Sequence, residues 1–252
     1  METKSRTQYS AYNTTVGLIS RFMAIIMGYV VRIVFTHMLS ENYVGVNGLF
    51  TDILNVLSLS EMGIETAISF ALYKPSAEND IEKQKSIMNI YKWIYRAVAC
   101  FVLFAGLLVI PFMGVLIKNK PDIENLTYIY VLYLINSAAS YLLIYKKTLL
   151  DAHQLKYIGV VAKTFSWVIQ DIFQIAILIL TKNFILYLYV DIAATVFSNI
   201  YISKKTDKLF PYVNDKDVQK LDTQTKSDII KNVKAMMMHQ VGNVIVNNTD
   251  NL

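Results

Sequence analysis

Two arginines sit inside an apolar stretch, and their side chains ask for a chemical partner: Arg21 and Arg32. On a helix they are about three turns apart and lie on nearly one face. A guanidinium at the centre of a bilayer costs about 2.5–3.5 kcal/mol. Two on one face therefore point to a polar cavity. The planar, forked donor set of arginine suits an anionic group such as a phosphate. A second arrangement stays open, in which Arg32 pairs with a carboxylate inside the bundle and Arg21 reaches the aqueous edge.

The next apolar stretch carries carboxylates. Asp52 and Asn55 fall on one side of a helix, and Glu61 and Glu65, one turn apart, on roughly the opposite side. These acids are expected either to balance the arginines or to hold a coupling ion, H+ or Na+. Further on, Lys163, Gln170 and Gln174 share a face at spacings of seven and four, with Trp167 and Asp171 beside them. A polar stripe of that length belongs against a cavity and not against lipid, although Lys163 also lies where it could reach an aqueous edge. Asp191, Thr195 and Ser198 form a weaker stripe. Interhelical hydrogen bonds account for its hydroxyls, and Asp191 is expected to be solvated near the outer boundary.

The elements that must position these groups are membrane spans. Apolar residues make up 54% of the 252-residue chain. They fall in blocks of about 20 or more, the length that crosses roughly 30 Å of hydrocarbon. The pattern predicts an all-α integral membrane protein with a six-helix transmembrane bundle, its spans near 14–39, 43–72, 93–117, 125–149, 157–181 and 184–203. The second is long for one crossing and holds Gly45, Gly48 and Gly63 before Lys74-Pro75, which predicts a tilted or kinked helix. Residues 76–90 read as a short surface helix. The bundle is expected over 1–203, a polar linker over 204–232, and the start of a seventh span over 233–252.

Charge sets the orientation. Lys4, Arg6, the lysines of 74–92, Lys146, Lys147, Lys156 and the lysines of 204–234 alternate with loops holding only Lys118, Lys120 and Lys182. The basic set is expected in the cytoplasm, with the amino terminus. This bias explains the sequence pI of 9.0 without a nucleic-acid partner. Cys100 is the one cysteine, the histidines His37, His153 and His239 are scattered, and no catalytic or metal-binding string occurs. No enzyme, metal or cofactor is expected. Tyr128, Tyr130, Tyr187 and Tyr189 read as interfacial anchors. The N-x-T strings at Asn13 and Asn248 read as poor glycosylation sites. The polar start is not a cleavable signal. The last helix-like run breaks off at Leu252, which suggests a piece of a longer protein.

The string from Ser58 to Arg96, with Glu61-Met62-Gly63-Ile64 followed by Leu72-Tyr73-Lys74-Pro75 and a basic loop, resembles the bacterial polysaccharide-export flippases. These are the Wzx-like group of the multidrug/oligosaccharidyl-lipid/polysaccharide exporter superfamily. Glu41–Phe50 and Asn243–Leu252 look like that group as well. The resemblance implies one lobe of a two-lobed exporter in the bacterial plasma membrane. Such a protein moves polyprenyl-diphosphate-linked oligosaccharide between leaflets by alternating access, and a carboxyl-terminal bundle would be missing here. Under that reading Arg21, Arg32, Lys163 and Gln170 would bind substrate, and Asp52, Glu61 and Glu65 would couple an ion or balance charge. A cation-coupled drug exporter of the same superfamily and a truncated, non-transporting membrane remnant are the alternatives.

Overall fold

The computed structural model describes residues 6–58, 64–116, 123–215 and 217–249. Helix accounts for 89% of the structure, and no strand occurs among the described residues. In chain order the helices are α1 (Arg6–Met38), α2 (Glu41–Ser58), α3 (Ile64–Ala77), α4 (Ile81–Val109), the single-turn α5 (Met113–Leu116), α6 (Leu126–Tyr141), α7 (Lys147–Ala152), α8 (Lys156–Thr181), α9 (Phe184–Leu209) and α10 (Thr223–Thr249).

Five segments are long and apolar enough to cross a bilayer: Thr7–Met38, Ile81–Phe112, Leu126–Ala152, Lys156–Thr181 and Phe184–Leu209. The chain is thus an all-helical protein of multi-pass membrane character. Its surface agrees, with large apolar groups such as Phe22, Phe104 and Leu180 standing outward at 66%, 66% and 81% exposure, as hydrocarbon requires. Within the expected span over 43–72 the described residues form α2 and α3, and residues 59–63 between them, with Gly63 and the kink expected there, lie outside the described residues.

Local chemistry explains the helix ends. Asp80 caps α4 by accepting from the Lys83 amide at 3.0 Å, which satisfies one of the donors a helix start leaves open. Asn183 caps α9 by accepting from the amides of Ile185 and Leu186 at 2.9 and 3.1 Å. Pro111 turns the end of α4 into a tight 3-10 turn at Ile110–Phe112. The interior is aromatic. Tyr91, Tyr95, Tyr130 and Phe50 are wholly buried, with Phe50 edge-on to Tyr130 at 5.1 Å. Tyr130 donates to the Gly106 carbonyl at 2.9 Å and is therefore core, not an interfacial anchor. Tyr187 packs against Phe35 and Phe184 and is likewise an interior residue. Tyr128 and Tyr189 stay exposed, with their hydroxyls bonded to each other.

The segment expected as a polar linker, 204–232, is largely helical among the described residues. Residues 204–209 complete α9, residues 223–232 belong to α10, and the stretch between is strapped to the bundle. Tyr212 donates to Gln84 Oε1 at 2.6 Å, Lys85 pairs with Asp215 at 3.4 Å, and Ser86 donates to the Gln219 carbonyl at 2.7 Å. Gln84, 1% exposed, is the hub: its amide donates to the Pro75 carbonyl at 3.1 Å and its oxygen faces His153 Nε2 at 3.0 Å. Burial holds the His153 imidazole below its ordinary value and pushes the Tyr212 phenol up to about 12, so both rings are neutral in the fold.

α1 is tied to the start of α8 by Asn13. Its side chain donates to the Gln154 carbonyl at 2.9 Å and accepts from the Tyr157 amide at 2.8 Å. A residue that reads as a failed glycosylation string is here a clamp on an open helix start.

Candidate functional site

α6 ends early, and the end shapes the site. The fourth expected span, 125–149, is broken after Tyr141. Leu142 is extended, Leu143 takes a left-handed φ of 67°, and a 3-10 turn at Ile144–Lys146 leads into α7. A left-handed leucine is uncommon, and interrupted helices at membrane depth occur where protein or a cavity surrounds them. Two neighbouring lysines emerge just beyond the break. Lys146 pairs with Asp207 at 2.5 Å and donates to Asn214 at 3.0 Å. Lys147 pairs with Glu65 at 2.9 Å and with Asp151 at 3.5 Å.

Lys147 also stands at the junction of two depressions. The first, of about 450 Å³, lies between α1 and α8 and is lined by Arg21, Lys147, Lys156 and Lys163 with Trp167. The second, of about 410 Å³, is lined by Glu65, Asn136, Gln170, Asp191, Thr195 and Ser198 among others, and shares Lys147, Lys163 and Trp167 with the first. The first is lined by four cations, and the second adds amides, hydroxyls and the carboxylates of Glu65 and Asp191 to the two shared lysines. Lys163 holds its ammonium 4.9 Å from the centre of the Trp167 ring, within cation–π range. The Lys147 stem runs past Gly159, close enough that a Cβ there would touch its Cγ at 3.4 Å.

The charge balance favours an anion at the basic end. Four cations line that depression, and the two carboxylates ion-paired to one of them, Glu65 and Asp151, offset half. Arg21 and Lys156 form no ion pair among the described residues. Beyond the shared wall, Asp191 accepts from Asn136 Nδ2 at 2.6 Å and from Gln170 Nε2 at 2.7 Å, and Gln174 donates to the Tyr187 carbonyl at 3.3 Å. No group of three or more His, Cys, Asp or Glu residues that could hold a metal ion occurs among the described residues.

The structure thus brings Arg21, Lys163, Gln170 and Glu65 to one continuous pair of depressions. Arg32 and Asp52 are exposed on α1 and α2 and lie outside both. Glu61 lies outside the described residues. The expected shared wall of Arg21 and Arg32 is not found: Arg21 lines the basic depression, while Arg32, eleven residues and about 16 Å further along α1, lines neither depression. Glu65 balances Lys147 and not an arginine. Asp191 is not merely solvated, because two amides hold it. Lys147 and Lys156, which the sequence presents as loop charges, are part of the site. Compared with models of protein families, with curated proteins and with solved structures, the chain matches none.

Proposed function

We propose that this chain is one lobe of an alternating-access exporter that carries a polyprenyl-diphosphate-linked oligosaccharide across the bacterial plasma membrane. The single observation behind the reading is the basic depression formed by Arg21, Lys147, Lys156 and Lys163, which abuts a depression rich in amides and hydroxyls across Trp167. A sugar headgroup cannot enter hydrocarbon without losing the water that its hydroxyls and phosphates bind. A groove with cations at one end and amides and hydroxyls at the other replaces that water in the same order as the headgroup presents its groups. The lipid tail stays in the bilayer. Arg21 and Lys156 receive the diphosphate, Lys163 borders it, and Gln170, Asn136 and Asp191 face the sugars.

In this proposal α2 and α3 together supply a sixth crossing, the amino terminus is cytoplasmic, and a second bundle closes the groove. Glu65 balances Lys147, and transport is coupled to an ion, H+ or Na+. A cation-coupled drug exporter is the second reading, supported by Glu65 and Asp191 beside Trp167. It needs carboxylates open to a cationic guest, whereas Glu65 is held by Lys147 and Asp191 by two amides.

The test uses the chromosomal gene with Arg21→Ala, Lys156→Ala and Arg32→Ala introduced singly, and measures surface polysaccharide beside membrane abundance. Arg21→Ala and Lys156→Ala are expected to lower polysaccharide at normal abundance while Arg32→Ala lowers it less. Unchanged polysaccharide in the first two variants would overturn the proposal.

A further inference from the structure

The opposite side of α8 carries a second groove, independent of the site above. It has a volume of about 630 Å³ and runs between the amino-terminal end of α1 and the paired α8 and α9. On α9 its wall is one straight ridge: Phe197, Tyr201, Lys205 and Leu209 recur every fourth residue, so their side chains stack along about 18 Å of helix. On α8 the wall is Tyr157, Val161 and Phe165, and on α1 it is Tyr9 and Tyr12. Tyr12 meets Tyr157 edge-on at 4.8 Å, and the Asn13 clamp fixes α1 against α8 just beside them.

The groove is graded along its length. At the end bearing the lysines it has the phenol groups of Tyr9, Tyr12, Tyr157 and Tyr201 and the exposed ammonium of Lys205, which enters no ion pair among the described residues. Lys204 and Lys208 stand exposed on the same turns of α9. Deeper, the walls turn to Phe165, Phe197, Val161 and Ala162. Phenols belong at the headgroup level and phenylalanine among acyl chains.

We infer that this groove binds one anionic phospholipid of the inner leaflet, with its phosphate at Lys205 and the tyrosine hydroxyls and one acyl chain lying along Tyr201 and Phe197. Charge complementarity selects the occupant. A basic end with no carboxylate in its lining favours a headgroup of net negative charge over a zwitterionic one, whose ammonium would meet Lys205. The bound lipid fills the space between α1 and the α8–α9 pair, and so braces the helix that carries Arg21.

The experiment takes the whole chain, purified in mild detergent and stripped of lipid, and titrates it with phosphatidylglycerol or phosphatidylcholine of matched chains under native mass spectrometry. Wild type is expected to hold one phosphatidylglycerol about fivefold more tightly than phosphatidylcholine, the worth of one lysine at an anionic surface. Lys205→Gln should erase that preference, and Val161→Trp, which fills the groove, should weaken both lipids. Lys182→Gln, at the other end of α8, should change neither. Equal binding of the two lipids by wild type, or an unchanged preference in Lys205→Gln, would overturn the inference. So would an equal loss in Lys182→Gln. None of these outcomes bears on Arg21 or Lys156, so the transport proposal stands or falls separately.

Discussion

Replacing Lys147 by methionine is the sharpest probe of the ion cluster beside the groove. The ammonium sits 2.9 Å from Glu65 and 3.5 Å from Asp151, and its side chain is 19% exposed. Methionine keeps the apolar stem that fits beside Gly159 and deletes only the charge. What remains is Asp151, 14% exposed, whose Oδ1 is buried without a hydrogen-bond partner. Its other oxygen then loses its cation too. Stranding a buried carboxylate in this way costs about 3–5 kcal/mol. Lys156 also acts on Asp151 electrostatically, which places the expectation at the lower end of that range.

The partners are predicted to differ. Glu65 is 42% exposed, so Glu65→Gln should cost less than about 1 kcal/mol. Asp151→Asn added to Lys147→Met removes the stranded charge and should recover most of the loss, giving a strongly non-additive cycle. Unfolding by dodecyl sulfate in detergent, followed by circular dichroism, is measured for wild type, Lys147→Met, Asp151→Asn, the double variant and Glu65→Gln. A Glu65→Gln loss equal to that of Lys147→Met would refute the reasoning. A double variant no more stable than Lys147→Met would refute it as well.

Three further outcomes follow from the packing. Gly106→Ala places a Cβ 2.3 Å from Leu134 Cδ1; Leu134 is 1% exposed and cannot swing clear, so the variant should lose about 1–3 kcal/mol, with Leu134→Ala beside it costing less than the sum. Because burial depresses the His153 pKa below its ordinary 6.5, its contribution to stability is complete above pH 6.5 and shrinks as pH falls below it, where the unfolded ring binds the proton first. Thermal midpoints compared at about pH 5 and about pH 7.5 should show that slope in wild type and lose it in His153→Gln. Asn199→Leu should cost about 1–3 kcal/mol in the same unfolding assay by uncapping the end of α6.

The apolar blocks announced α1, α4, α8 and α9, because bilayer length and loop charge are both written directly in composition. The stripe Lys163, Gln170, Gln174 was legible for the same reason, since a single helix fixes the angles between its own residues. What was not legible depends on how separate helices approach. Lys147 and Lys156 read as loop lysines because only the packing of α8 against α1, and of α7 against α8, turns them toward Arg21. Asp191 looked solvated because its partners, Asn136 and Gln170, come from α6 and α8. Arg32 shares a face with Arg21, yet periodicity gives an angle and says nothing of which depth a cavity reaches. Tyr130 and Tyr187 were misread, unlike the exposed Tyr128 and Tyr189, because a phenol buried against a carbonyl, as Tyr130 is, has the same sequence signature as one at an interface.

The break in α6 was silent in the sequence, and it is the feature on which the site turns. Nothing in Tyr141-Leu142-Leu143-Ile144 resembles a stop: there is no glycine, no proline and no capping side chain. The chain tolerates the interruption because a neighbour pays its hydrogen-bond cost. Asn199 on α9 donates its amide to the carbonyls of Ala139 at 3.0 Å and Ser140 at 3.2 Å, carbonyls of the helix's last turn, the first of which also accepts from the Leu142 amide. Asn199 is 8% exposed, so water is a poor substitute. With α6 ended there, Lys146 goes to the strap through Asp207 and Asn214, and Lys147 goes to the groove through Glu65 and Asp151. A continuous helix over 125–149 would have carried both lysines onward along one axis. The arrangement that gives the groove one of its cations is therefore specified by an asparagine some sixty residues further along the chain, through a contact that no local reading of α6 contains.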